Sequence, residues 1–355
     1  MMLAAIYDGS GTINVVERPR PVIEPDEALL RVEACGVCGT DLRILGAGHR
    51  RIPEGETRIL GHELAGVIEE VGSEVDGITP GTRVALAPNM GCGHCEMCVQ
   101  GYTNLCPDYT SFGVVIDGGF AEYMRITREA ILQGNVHVLP DHVSFHEAAM
   151  NEPLACCFHG LSALSVQPGD DMLVVGMGSI GLMTMQLGRL MGVNRIMTAN
   201  TSSYRRELSV ELGADVAINP SEEDMVEAVM EATGGRGVDV AVVAAPSAKA
   251  QQQCVELMAK HGRINFFGGL PKGSEMTGID ANLVHYRELT ITGTTGQTVK
   301  EYRTTMAMLS SGRLEINRLV TGRFALKDAA AAIENARSKV GVKTMIFPHS
   351  IPDES

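Results

Sequence analysis

Apolar runs alternate with helical segments from about residue 147 to residue 294, and this alternation constrains the fold more than any other feature. Apolar residues recur at helical spacing between the runs, as in the segment 180–191. Such alternation predicts a parallel sheet covered by helices on both faces. The predicted strands are 172–175, 195–199, 215–218, 238–243, 263–267 and 289–292, and Ser221 with the acidic residues after it predicts a helix start.

A glycine motif joins the first of these strands to the helix that follows it. Residues 176–181 read Gly-Met-Gly-Ser-Ile-Gly. In this position, glycines let the backbone turn tightly and approach a pyrophosphate, which rests on the helix N-terminus. The motif predicts a dinucleotide site that includes Gly176, Gly178, Ser179, Ile180 and Gly181.

The end of the second strand bears on the choice of cofactor. An acidic residue about 20 residues after the glycines binds the ribose 2′-hydroxyl in NAD enzymes, but this chain has Asn200 there. Ser202, Arg205 and Arg206 follow and offer a hydroxyl and positive charge to a 2′-phosphate. The segment favours NADP over NAD, although arginines here are also compatible with solvent exposure or with NAD.

The two segments that flank this α/β block have a different pattern. Residues 1–145 read as short strands cut by glycine and proline, for example 28–32, 65–71 and 83–87. Helices around 302–309 and 327–337 and a strand near 342–346 follow the block. We therefore expect the flanks, 1–146 and 295–355, to fold together as one domain, with 147–294 as a six-stranded parallel dinucleotide-binding domain.

Composition excludes several classes of protein. The 355 residues are 45% hydrophobic and 20% charged, which is typical of globular chains, and the net charge of −14 disfavours nucleic acid and anionic membranes as partners. The N-terminus does not read as a signal peptide, and no apolar stretch approaches the ~18 residues of a membrane span. We expect a cytoplasmic protein, in which reduced cysteines favour metal binding over disulfides.

Four of the nine cysteines lie within fifteen residues, in the pattern Cys92-x2-Cys95-x2-Cys98-x7-Cys106. Four thiolates suit tetrahedral zinc and leave no open position, so the pattern predicts a structural zinc site. An iron–sulfur cluster is the alternative, because the first three cysteines and the Cys106-Pro107 pair are similar to a ferredoxin motif, whose last gap is three residues rather than seven.

Two further motifs are Cys35-Gly-Val-Cys38-Gly-Thr40-Asp41 and Gly61-His62-Glu63. With the four-cysteine loop, they make the chain resemble the zinc-containing medium-chain dehydrogenases, in particular the polyol branch, over essentially its whole length. The resemblance implies a GroES-like, mostly β catalytic domain beside a Rossmann domain.

The resemblance also implies a catalytic zinc bound by Cys38 and His62. Glu152 and Glu63 are competing third ligands. Such a centre leaves one position open to substrate and serves as a Lewis acid. Thr40 matches the family's hydroxyl relay, and Asp41 is expected to orient His62 or to be a surface turn residue. Arg43 replaces a histidine that extends the relay in several relatives.

Other polar residues have less specific interpretations. Cys35, three residues before Cys38, is compatible with a redox pair, but the resemblance implies a packed core position. Cys156, Cys157 and Cys254 are expected to be buried core residues rather than ligands. His159 fits either a cleft or a core position. His49, Arg50 and Arg51 are expected to form a solvated loop, although they would also attract an acidic or phosphorylated substrate.

We therefore expect an NAD(P)-dependent zinc alcohol or polyol dehydrogenase, with one catalytic and one structural zinc per chain. The segment 285–288, His-Tyr-Arg-Glu, is similar to sugar-alcohol relatives. A threonine-type dehydrogenase and a non-catalytic nucleotide-binding protein remain alternatives. The family resemblance implies a dimer or a tetramer, and we expect a homotetramer.

Overall fold

A computed structural model describes residues 1–9, 11–53 and 55–352. The chain divides into two compact units, one of Met1–Ala155 with Gln297–Ser355 and one of Cys156–Gly296. The division falls some residues after the expected limits at 146 and 294, and the domain boundaries stay predictions.

The first unit is mostly β. Its strands are β1 (Met2–Tyr7), β2 (Ile13–Arg18), β3 (Ala28–Gly36), β4 (Arg58–Ile59), β5 (Glu63–Val71), β6 (Arg83–Leu86), β7 (Asn89–Met90), β8 (Thr110–Ser111), β9 (Tyr123–Ile126), β10 (Val136–Val138), β17 (Val320–Ala325) and β18 (Lys343–Phe347). Its described residues form a sheet of seven strands in the order β10-β6-β5-β3-β18-β17 with β9 beside β3, a three-stranded sheet in the order β2-β1-β4, and the two-stranded sheet β7-β8.

Helices of the first unit lie between and after these strands. The predicted helix around 327–337 begins two residues later, because a 3₁₀ turn at Leu326–Asp328 precedes it. Further 3₁₀ turns lie at Thr103–Leu105 and Asn317–Leu319. The helices are α1 (Gly39–Ala47), α2 (Glu96–Val99), α3 (Arg128–Leu132), α4 (Phe145–Ala149), the start of α5 (Asn151–Ala163), α11 (Val299–Ser310) and α12 (Ala329–Ser338).

The C-terminal segment is part of the same sheet as the N-terminal strands. The final strand, β18, pairs with β3 antiparallel and with β17 in parallel. All five residues of β18 are buried. The flanks therefore fold together around shared strands, and a buried apolar cluster joins them through residues such as Leu30, Leu64, Ile333 and Ile346.

The second unit is a Rossmann sheet. Its strands are β11 (Asp171–Val175), β12 (Arg195–Ala199), β13 (Val216–Ile218), β14 (Val238–Val243), β15 (Met258–Phe266) and β16 (Thr290–Gly293). They pair in parallel in the order β13-β12-β11-β14-β15-β16, with the crossover between β11 and β14. This confirms the predicted six-stranded parallel sheet within the described residues. The helices are the rest of α5, α6 (Ser179–Leu190), α7 (Ser203–Glu211), α8 (Met225–Ala232), α9 (Ala248–Glu256) and α10 (Ala281–Arg287).

One predicted helix start in this unit is wrong. Helix α8 begins at Met225 rather than at Ser221, because Asp224 accepts hydrogen bonds from the backbone N–H groups of Val226 and Glu227 and caps the helix. Ser221 instead donates to the side chain of Asn219 in the preceding turn. Within the part of the chain that the structure describes, none of the helices is long and apolar enough to cross a membrane.

Candidate functional site

The four clustered cysteines converge in the first unit. The sulfur atoms of Cys92, Cys95, Cys98 and Cys106 all lie within 4.8 Å of one another. Cys95 precedes the short helix α2, and its backbone N–H donates to Cys92 Sγ at 3.4 Å, while the N–H of Cys92 donates to Cys106 Sγ at 3.3 Å. Convergent thiols with oriented N–H donors are the arrangement that a tetrahedral metal site requires.

Two glycines shape this loop. A Cβ atom at Gly91 would lie 2.5 Å from Cys98 Sγ, so a side chain there would displace the sulfur. Gly93 has a φ of +82°, a conformation that favours glycine. The loop can therefore fold tightly enough for its sulfurs to face one point.

The environment changes the acidity of these thiols. Backbone N–H groups of His94 and Cys95 stabilise the thiolate of Cys92 and lower its pKa to about 6. Burial raises the pKa of Cys98 to about 12. Without a cation, the cluster holds negative charge mainly at Cys92; a divalent cation would stabilise all four thiolates.

A second group of metal-type donors lies in the same unit. Cys38 Sγ, a ring nitrogen of His62 and a carboxylate oxygen of Glu63 lie within 4.8 Å of one another. Cys38 is the N-cap of α1, and Glu63 is the first residue of β5, directly opposite Gly36 of β3. The pairing of these two strands thus brings the separate motifs together.

Asp41 contacts residues of both motifs. It is fully buried, accepts the backbone N–H of Cys38 at 2.8 Å, and its other oxygen lies 3.5 Å from His62 Nδ1. Burial opposes protonation of His62, yet the charges of Cys38 and Asp41 raise its pKa well above the ordinary value. The negative charges around His62 therefore favour a positive charge at this position. Asp41 is a buried residue and not the surface turn residue that was the alternative.

A lysine that the sequence analysis missed completes this group. The ammonium of Lys343, on β18, forms an ion pair with Glu63 Oε2, and both side chains are buried. Burial opposes its charge, but Glu63, Cys38 and Glu152 raise the pKa of Lys343. The available sequence signal was a lysine at the start of a strand that continues with three apolar residues.

Glu152 is placed differently from Glu63. It is buried at the start of α5, but among the described residues it does not belong to the close group of Cys38, His62 and Glu63. Its charge nevertheless raises the pKa of Lys343. The adjacent Asn151 anchors the helix start, because its side-chain amide donates to the Tyr302 carbonyl at 2.9 Å.

Thr40 lies half-buried in the first turn of α1. The Arg43 guanidinium donates to Thr40 Oγ1 at 2.9 Å. Since that oxygen accepts from Arg43, the threonine proton is free to point elsewhere. Cys35 is fully buried, and burial raises the pKa of its thiol well above the usual range, as expected of a core residue.

Two arginines near the suggested substrate segments have structural contacts. The Arg51 guanidinium donates to the carbonyls of Pro107 and Tyr109 at 2.6 and 2.8 Å. Arg287 donates to the carbonyls of Glu256 and Met258, both at 2.8 Å. Both arginines therefore stabilise the backbone of neighbouring segments, and their presence does not require an acidic substrate.

The glycine motif of the second unit has the geometry that its sequence predicts. Gly176 has a φ of +97°, and a Cβ there would lie 2.8 Å from the Ala245 nitrogen. A Cβ at Gly181 would lie 2.1 Å from the Gly176 carbonyl oxygen. Gly178 caps α6, whose first residues are Ser179 and Ile180, and the first turn carries no acidic side chain. The N-terminus of α6 can therefore accept an anion.

Asn200 and the arginines after it have distinct roles around this loop. Asn200 Oδ1 accepts the backbone N–H of Met177 at 3.1 Å. Arg206 donates to the carbonyls of Asn200 and Thr201, which holds the turn. Arg205 faces the loop, since its Nη1 lies 4.0 Å from where a Cβ of Gly178 would be. Ser202 is the N-cap of α7 and makes no side-chain capping bond.

Comparison with known proteins matches both parts of the chain. Residues 24–140 match the alcohol dehydrogenase GroES-like domain, and residues 179–311 match the zinc-binding dehydrogenase domain. The chain is 32% identical to a sorbitol dehydrogenase of Bacillus subtilis, over 98% of each chain, and 33% identical to an L-threonine 3-dehydrogenase of Pyrococcus horikoshii, over 87% of this chain and 86% of that one. It superimposes with a TM-score of 0.90 and 34% identity on a putative zinc-binding dehydrogenase of Sinorhizobium meliloti bound to NADP, covering 98% and 99% of the two chains.

The fold and these matches define a zinc-dependent oxidoreductase of the alcohol dehydrogenase class. The chain belongs to the zinc-containing medium-chain dehydrogenase family. The predicted family, its polyol branch, and the fold of a GroES-like domain with a Rossmann domain are confirmed.

The thiol environments predict selective alkylation of the chelator-treated protein. Because the pKa of Cys92 is about 6, its reaction with iodoacetamide should rise with pH through about 6 and level off above neutrality. Cys254, buried with its pKa raised to about 12, is the control and should stay unmodified in the folded protein. Peptide mass spectrometry measures both sites, and Cys92 labelling that begins only near pH 8–9, as for an ordinary thiol, would contradict the account.

Proposed function

We propose that this chain is an NADP-preferring, zinc-dependent dehydrogenase of polyols or secondary alcohols. The observation that carries the proposal is the convergence of Cys38, His62 and Glu63 within 4.8 Å. One thiolate, one imidazole and one carboxylate leave a fourth position of a tetrahedral ion open, which is the pattern of catalytic zinc. We assign the four-cysteine loop to a second, structural zinc, because four thiolates leave no open position.

Geometry favours Glu63 over Glu152 as the third donor, since Glu63 belongs to the close group. Glu152 would then contribute negative charge from the start of α5. When bound, zinc supplies the Lewis acidity that makes a substrate hydroxyl more acidic. Asp41 holds the His62 ring and fixes its tautomer through the contact at Nδ1.

Thr40 is the residue we propose to accept the substrate proton. Its Oγ1 already accepts from Arg43, so its own proton can be passed on as another arrives. A guanidinium stays protonated and cannot accept a proton. The proton therefore leaves Thr40 through water, whereas a histidine at position 43 would extend the relay.

The preference for NADP rests on three residues. Asn200 brings no carboxylate to the end of β12, and Arg205 lies beside the glycine loop, with Ser202 offering a hydroxyl nearby. A relative 34% identical to this chain was solved with NADP bound. A guanidinium next to the ribose would form charge-assisted hydrogen bonds with a 2′-phosphate.

A threonine-type amino-alcohol dehydrogenase is the second candidate, favoured by the 33% identity to the Pyrococcus enzyme. Absorbance at 340 nm, with polyols, secondary alcohols and threonine offered with each cofactor, separates the two. Oxidation of threonine alone would support the second candidate. Dinucleotide binding without turnover of any alcohol would support a non-catalytic nucleotide-binding protein.

We also propose a cytoplasmic homotetramer. The edge strand β16 pairs only with β15 within the described part of the chain, and its residues are partly exposed. An open edge of this kind can pair with the same strand of a second copy.

Replacing Cys38 by serine should remove one of two zinc ions per chain and abolish measurable turnover, because a hydroxyl is a poor zinc ligand at neutral pH. Metal analysis and the 340 nm assay measure the two effects. Cys254→Ser, the same change at a buried cysteine of the other unit, should keep both zinc ions and the activity. Full activity of the Cys38 variant would refute the assignment.

Cofactor choice should change in Asn200→Asp. Aspartate can still accept the Met177 N–H, while its charge repels a 2′-phosphate and binds ribose hydroxyls. Arg205→Met should lose affinity for NADP alone. Because hydrogen bonds to charged groups contribute about 1.5–3 kcal/mol, kcat/KM for NADP relative to NAD should fall about tenfold or more in each variant. Arg313→Met, at an exposed position of the other unit, is the control; an unchanged ratio in both test variants would refute the NADP preference.

A further inference from the structure

The ion pair between Lys343 and Glu63 is buried on both sides. The side chains are 4% and 1% exposed. A surface ion pair contributes little, but a buried ammonium or carboxylate without its partner is strongly unfavourable. The pair therefore needs an explanation beyond chance proximity.

Strand pairing fixes where the two charges meet. Gly36 of β3 lies opposite Glu63 of β5 on one side and opposite Met345 of β18 on the other. A Cβ atom at Gly36 would lie 2.1 Å from Glu63 Oε2 and 2.9 Å from Lys343 Cε. The ion pair thus occupies the space that the missing side chain of Gly36 leaves open.

The contact with Lys343 lies at one oxygen of the Glu63 carboxylate, Oε2. Lys343 contacts Oε2, and a carboxylate oxygen of Glu63 is within 4.8 Å of both the Cys38 sulfur and a His62 nitrogen. A cation at one oxygen of a carboxylate makes that oxygen less available to a metal ion, and so favours metal binding through the other oxygen. Such binding uses one coordination position and leaves another for substrate.

We propose that Lys343 is a positioning residue that restrains Glu63 to bind the catalytic zinc through one oxygen. The inference rests on the proposed function, since it requires a metal ion at Cys38, His62 and Glu63. An ammonium has no lone pair to offer a metal ion, so Lys343 acts through Glu63. Gly36 contributes to this arrangement, because its missing side chain leaves space for the contact between Lys343 and Glu63.

Metal binding tests the proposal without relying on activity. Zinc affinity is measured by competition with a chromophoric chelator, and cobalt is substituted for zinc so that its visible spectrum reports the coordination number. Lys343→Met should weaken the weaker of the two zinc sites by about tenfold or more, as loss of residues that orient metal ligands commonly does. The cobalt spectrum should shift toward higher coordination, because both oxygens of Glu63 are then free to bind.

Matched variants separate this role from general stability. Lys300→Met, at an exposed lysine of α11, should leave both readouts unchanged. Lys343→Arg keeps a cation and should lie closer to the wild type. Gly36→Ala should reproduce the spectral change of Lys343→Met, since its Cβ would displace the pair.

A double-mutant cycle gives the decisive comparison. In a Glu63→Gln background, Lys343→Met should have little further effect on zinc affinity, and this double variant buries no unpaired charge from the pair. An equal effect of Lys343→Met in both backgrounds, or an unchanged cobalt spectrum, would overturn the inference. If Lys343→Met alone does not fold, Lys343→Gln, which keeps a hydrogen-bond donor but removes the charge, takes its place in the cycle under the same criterion. A wild-type chain that binds zinc only at the four cysteines would instead refute the proposed function.

Discussion

The pairing of β3 with β5 is the constraint on which the site depends. Its register places Gly36 opposite Glu63, so that Cys38, just after one strand, meets His62, just before the other. A shift of one residue in this register would reverse which face each side chain occupies and would separate the donors. The C-terminal strand β18 then adds Lys343 to the same sheet, and this explains why the two flanks of the Rossmann unit must fold together.

Charge balance is the second organising element of the site. The carboxylates of Asp41 and Glu63 are buried beside the Cys38 sulfur, so like charges lie close together in a region that water does not screen. Lys343 provides one compensating positive charge, and the protonation of His62 that its raised pKa favours provides another. A divalent cation would replace the proton on His62 and satisfy the same field. The positive charges of Lys343 and His62 thus offset the acidic groups of the site before a metal ion binds.

Sequence reasoning could predict features that depend on local spacing. The four cysteines and the glycine motif lie within short segments, and the strands of the Rossmann sheet have strong apolar patterns, so the structure agrees closely with the predicted bounds of β12 and β14. The choice between neighbouring residues as the N-cap of a helix was harder to predict. Asp224, not Ser221, is the N-cap of α8, because its carboxylate accepts hydrogen bonds from two backbone N–H groups.

Features that depend on long-range pairing were not predictable in the same way. Lys343 lies 280 positions after Glu63 in the chain, and only the order of strands in the sheet brings them into contact. The choice between Glu63 and Glu152 had the same difficulty, because both are acidic and both lie at the start of an element. The role of Gly36 likewise depends on what the two neighbouring strands carry.

A crystal structure of the zinc-loaded protein, with anomalous diffraction measured at the zinc edge, tests the central claim most directly. The account predicts two anomalous peaks per chain, one among the four cysteines and one bound by Cys38, His62 and a single oxygen of Glu63, whose other oxygen stays with Lys343. A second peak bound by Glu152 with Glu63 turned away, or no peak beside Cys38 and His62, would contradict it.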